Sequence, residues 1–191
     1  MHHHNWKTEI LRIPNLLSLL RILLIPVYMT LYLRAQKPWD YFLSGFVLAL
    51  SCLTDFLDGW AARRFRMITN LGKILDPLAD KLTQLSLSIC LSFRYPIMGT
   101  VLMLFLFKEC FQLAAALWHF RRGKVLPGAL RAGKVSTAVF FVTLILLVLF
   151  PKIPLRWVRG FAALDCVFLT ISFISYGFAY LGRNPRLENW Q

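Results

Sequence analysis

The chain has 191 residues, 58% of them hydrophobic, with a mean hydropathy of +0.58 and a net charge of +13. A soluble core of this size cannot hide so much apolar surface, so composition excludes an ordinary soluble globule and favours one bundle of membrane spans. Nucleic-acid binding is set aside as well, because no basic stripe with interleaved aromatics accompanies the charge.

The N-terminal segment opens on three adjacent histidines, which do not define a metal site by themselves. Residues 5–13, NWKTEILRI, mix apolar and charged side chains and suit a short helix lying in the membrane interface. No cleavable signal peptide is expected, since the first apolar run is long and lacks a small-residue cleavage site after it. Runs of spanning length then occur at 14–33, 39–61, 77–93, 96–118, 135–150 and 159–181, the third and fifth at the short end. The sequence therefore predicts an all-α integral membrane fold: six transmembrane helices behind a short N-terminal interfacial helix. Residues 1–13 form a cytoplasmic interfacial segment, 14–182 a single six-helix domain and 183–191 a cytoplasmic tail.

Orientation follows from the basic residues. The two tails with the 62–73 and 119–134 loops hold thirteen of the 22 lysines and arginines, against six in the other three loops. The positive-inside rule then puts both termini in the cytoplasm. Cys52, Cys90, Cys110 and Cys166 are isolated in apolar stretches and read as small hydrophobes, not as a disulfide or zinc framework.

Four of the nine acidic residues, Asp55, Asp58, Asp76 and Asp80, fall within 26 positions. Their spacings of three and four put each pair on one helical face, and the turn RRFRMITN between them lets the two helices run antiparallel. Each carboxylate at mid-membrane depth would cost roughly 2.5–3.5 kcal/mol, so the group calls for compensating cations. Hard oxygen ligands suit Mg2+ or Mn2+, and two such ions can clamp a diphosphate during an in-line displacement. Gly59 and Gly72 would let a nucleotide approach the backbone, and Arg63 offers a planar fork to a phosphate.

The run D-x2-D-G-x2-A-R-x8-G-x3-D-x3-D is present without a mismatch, and in this respect the chain resembles the CDP-alcohol phosphatidyltransferases. IPNLLSLLRILLIP at 13–26 is similar to the first span of bacterial phosphatidylglycerophosphate synthases and related cardiolipin synthases, and GKVSTA at 133–138 resembles the start of their fifth span. The resemblance implies six helices, a homodimer in the bacterial inner membrane, and transfer of a phosphatidyl group from CDP-diacylglycerol to an alcohol with release of CMP. It implies that Asp55, Asp58 and Asp76 hold two metal ions, Mg2+ or Mn2+. Asp80 would be both a metal neighbour and the general base, while Gly59, Ala62, Arg63 and Gly72 would line the CDP moiety. Glycerol 3-phosphate is the favoured acceptor and phosphatidylglycerol the alternative.

Other polar residues inside the spans need an account. Arg21, about a turn from Asn15 and Ser18, is a candidate for the substrate site, since an intramembrane arginine is functional by default. Lys108 and Glu109 read as a neutralising pair or as an acceptor contact; Lys108 stands where such synthases usually carry arginine. Arg131 and Lys134 could bind an acceptor phosphate or simply mark the cytoplasmic side. Asp165 reads as a polar contact in the bundle and His119 as an interfacial residue. A divalent-cation transporter is the rival from another class, but it would not need Gly59, Arg63 and Gly72 beside the acids. A catalytically silent scaffold is disfavoured because all four aspartates are kept.

Overall fold

The structure is a computed structural model that describes residues 13–64, 72–121 and 130–181. Among them every regular element is helical: α1 (Ile13–Arg34), α2 (Pro38–Arg64), α3 (Gly72–Arg94), α4 (Pro96–Arg121), α5 (Arg131–Leu149) and α6 (Leu155–Leu181). The expected interfacial helix, the turn between α2 and α3 and the C-terminal tail lie outside the described residues. The molecule is an all-α integral membrane protein.

Four helices, α1, α4, α5 and α6, are long and apolar enough to cross a membrane on their own account. The other two expected spans differ for a physical reason. Helix α2 has a shorter apolar stretch, Trp39–Thr54, before its acidic C-terminal turns. Helix α3 is 23 residues long but carries Asp76, Asp80 and Lys81 together with a buried stripe of Thr83, Gln84, Ser86 and Ser88. Such side chains are tolerated at membrane depth only when they face protein or a polar cavity. Helices α3, α5 and α6 also begin four to five residues ahead of the apolar runs that announced them, at Gly72, Arg131 and Leu155. Helical hydrogen bonding continues into the polar flank, where apolar content no longer marks it.

The chain divides after Cys90 into two units. In the first, α1 and α2 pack against each other across the short link 35–37. Pro38 opens α2, where its missing N–H is no loss. The Asp40 carboxylate accepts the backbone N–H groups of Gln36 at 3.0 Å and Lys37 at 2.9 Å, so an acid in the first turn reaches back to satisfy donors ahead of the helix. Tyr28, Tyr32 and Tyr41 form an aromatic cluster at this end, with centroids 6.0 and 5.6 Å apart.

Helix α1 is inverted relative to a soluble helix. Its buried face carries Asn15, Ser18, Arg21, Tyr28 and Tyr32, whereas Leu16, Leu20, Leu23, Val27 and Leu33 are exposed. Lipid tails are as apolar as leucine, so leucine gains nothing by turning inward, while polar groups must find partners inside. This inversion turns a polar stripe toward α3.

In the second unit α6 packs against both α4 and α5. Phe173 of α6 meets Phe107 and Phe111 of α4, with centroids 5.2 and 5.0 Å away. Phe140 of α5 lies 4.9 Å from Phe105 of α4. Between α5 and α6, Thr143 Oγ1 donates to the fully buried Asp165 at 3.1 Å. The Pro151 carbonyl, in the α5–α6 link, accepts from Arg94 at 2.8 Å and from the Tyr95 hydroxyl at 3.2 Å.

Candidate active site

Two of the four aspartates project from α3, one turn apart. Asp76 Oδ1 accepts the Ser18 hydroxyl at 2.5 Å, and Asp80 Oδ1 accepts an Arg21 Nη1 hydrogen at 2.5 Å. Ser18 and Arg21 are three residues apart on α1, Asp76 and Asp80 four apart on α3, so the pairs form consecutive rungs between the two helices. The two partners of the upper rung differ in environment: the Arg21 side chain is 2% exposed, that of Asp80 52%. A buried guanidinium thus engages one oxygen of a half-exposed carboxylate. That suits a group that must meet a ligand in a set orientation.

Gly72 is the first residue of α3 and is buried. Asp55, Asp58, Gly59, Ala62 and Arg63 lie on the last turns of α2, where the spacing keeps 55, 58, 59 and 62 on one helical face. Their side chains lie outside the described residues. Among the described residues no three metal-ligating side chains converge; Asp76 and Asp80 are the described half of the expected acidic set. Two carboxylates one turn apart on a polar face, with hydroxyl and guanidinium support behind them, are a donor set of the hard-oxygen type that Mg2+ and Mn2+ select.

The remaining candidates belong to the second unit. Lys108 is 1% exposed; its Nζ donates to Glu109 Oε1 at 2.6 Å and lies 5.9 Å from the Phe105 ring centroid. Of the two readings open for Lys108, this contact is the neutralising pair with Glu109. Arg131 and Lys134 are exposed in the first turn of α5. Ser18 was not singled out from the sequence. The signal was available, for Asn15, Ser18 and Arg21 repeat every three residues along one face of an otherwise apolar run.

These features describe a helical membrane protein with two supported carboxylates near the start of α3. The family model of the CDP-alcohol phosphatidyltransferases matches residues 11–172, and the chain belongs to that family. It is 31% identical to the cardiolipin synthase (CMP-forming) of Streptomyces coelicolor over 184 residues, 95% of this chain and 80% of that protein. It is 44% identical over 72 residues to the CDP-diacylglycerol–glycerol-3-phosphate 3-phosphatidyltransferase of Pseudomonas fluorescens, 38% of this chain and 36% of that one. The protein of the same name in Aquifex aeolicus is 47% identical over 72 residues, 37% of this chain and 38% of that one. The chain thus spans well under half of the glycerol-3-phosphate transferases that it matches.

Proposed function

We propose that the protein transfers the phosphatidyl group of CDP-diacylglycerol to glycerol 3-phosphate, giving phosphatidylglycerophosphate and CMP. The observation that carries this reading is the pairing of Ser18 with Asp76 and of Arg21 with Asp80, which gives the second half of the acidic motif a prearranged support. In this proposal Asp55, Asp58, Asp76 and Asp80 hold two divalent cations, Mg2+ or Mn2+. When bound, the cations neutralise charge on the diphosphate and acidify the acceptor hydroxyl. Asp80 accepts the proton of that hydroxyl as its oxygen forms the new P–O bond and the bond to the CMP oxygen breaks. A carboxylate among cations is a weak base, so the residues contribute mainly by holding the reactants in line. Gly59, Ala62 and Gly72 leave room for the nucleotide, and the forked donors of Arg63 meet its phosphates. Arg21 orients Asp80 and is a candidate contact for the substrate phosphate, while Lys108, Arg131 and Lys134 serve the acceptor's phosphate. The working form is a homodimer in the bacterial inner membrane with both termini and the active site cytoplasmic; the excess of basic residues in the tails and in the 62–73 and 119–134 loops supports that orientation.

A second acceptor, phosphatidylglycerol, is favoured by a specific observation: the Streptomyces relative named a cardiolipin synthase aligns over 95% of the chain. Lys108, which lacks arginine's bidentate fork, is compatible with it. Purified protein given CDP-diacylglycerol, Mg2+ or Mn2+ and a panel of glycerol 3-phosphate, phosphatidylglycerol, serine and inositol phosphate decides between them. CMP release with glycerol 3-phosphate alone supports the first reading, and release with phosphatidylglycerol alone replaces it by the second.

A further inference from the structure

Helix α5 starts without a cap of its own kind: its N-cap residue is Leu130, whose side chain makes no capping hydrogen bond. The partner comes from α6. The Leu130 N–H donates to the Tyr176 hydroxyl oxygen at 3.3 Å. The Tyr176 ring lies against the α5 backbone at Gly133, where a Cβ would stand 2.5 Å from the hydroxyl oxygen and 2.7 Å from Cε2. Glycine is therefore required for this approach, and Gly133→Ala would push the ring or the helix away. Tyr176 is 7% exposed and stacks on Tyr180 at 5.6 Å and 24°. Tyr180 in turn meets the His119 ring of α4 at 5.6 Å. Three helix ends are thus tied by one aromatic ladder whose last rung grips the first turn of α5. That turn carries the exposed cations Arg131 and Lys134, three residues apart and so on one face.

We infer that Tyr176 is a positioning residue for acceptor recognition: through Leu130 and Gly133 it sets the start of α5, and with it the pair Arg131 and Lys134, toward an anionic acceptor. The inference rests on the proposed role of those two residues with the acceptor phosphate. Tyr176→Phe removes one oxygen and keeps the ring. In steady-state CMP release by the full-length protein, it is expected to raise the KM for glycerol 3-phosphate about 3- to 10-fold, the range of one neutral hydrogen bond. kcat and the KM for CDP-diacylglycerol should stay unchanged. In a Lys134→Ala background the same change should have less than about twofold effect, because residues acting through one another are non-additive. An unchanged acceptor KM, a parallel loss in every parameter, or a full effect in the Lys134→Ala background would each overturn the inference. Poor folding of one variant does not mask the result, since the double-mutant comparison is made within a single background. Should the wild type use phosphatidylglycerol instead, the acceptor reading falls, and Tyr176 stands or falls by the same KM comparison on that lipid. Should it release CMP with neither acceptor, both fall.

Discussion

Arg21 and Ser18 decide how the aspartates of α3 are presented. A serine hydroxyl and a guanidinium each engage one carboxylate oxygen, so their loss should change the pose of Asp76 and Asp80 before it changes the fold. Arg21→Lys keeps the charge but loses the planar fork, and is expected to lower kcat/KM about tenfold, ~1.4 kcal/mol of transition-state stabilisation. Ser18→Ala should cost less, ~1 kcal/mol, because a neutral donor is withdrawn. Steady-state CMP release measures both, and a wild-type rate in Arg21→Lys would remove the guanidinium geometry from the account. At Asp165 the expectation is the reverse. Its contact is the Thr143 hydroxyl, which the carbonyl oxygen of an amide accepts equally well. Asp165→Asn should therefore retain activity, with some loss of melting temperature because the amide NH2 replaces a buried Oδ2 that has no hydrogen-bond partner among the described residues; a large loss of turnover would give this carboxyl a role outside structure.

At the level of elements, the pattern of legibility follows from what membrane burial does to sequence. Spans α1, α4, α5 and α6 were readable because lipid permits apolar residues on every outward face. Helices α2 and α3 are harder to delimit: the acidic and hydroxyl residues of the candidate site also dilute the apolar signal. The aspartates could be placed on common faces from spacing alone, whereas the rung between α1 and α3 could not, because spacing within a helix says nothing about its neighbour. The hold of Tyr176 on Leu130 was hidden for the same reason, being a contact between residues 46 apart in the chain. The start of α2 offers a check at this scale. Asp40→Ala removes the acceptor of two backbone donors and should lower the melting temperature modestly while leaving kcat intact, as measured by thermal unfolding in detergent.

For the chain as a whole, the family match covers residues 11–172, and within its first unit the inverted polarity of α1 sets an apolar outer face beside a polar seam with α3 that carries Asp76 and Asp80. If that seam works with hard divalent cations, chelation should abolish CMP release without unfolding the helices, and either Mg2+ or Mn2+ should restore it. A cation transporter would instead move metal across sealed vesicles with no lipid substrate present, an outcome that uptake of Mn2+ into proteoliposomes detects.

The most direct measurement is single-turnover CMP release from CDP-diacylglycerol by Asp80→Asn beside the wild type, with Mg2+ and the preferred acceptor. Asparagine preserves size and can still accept from Arg21, but it cannot take the acceptor's proton. A folded variant that retains the nucleotide lipid and yields no CMP is the expected result. A variant that turns over at close to the normal rate would show that the chemistry lies elsewhere.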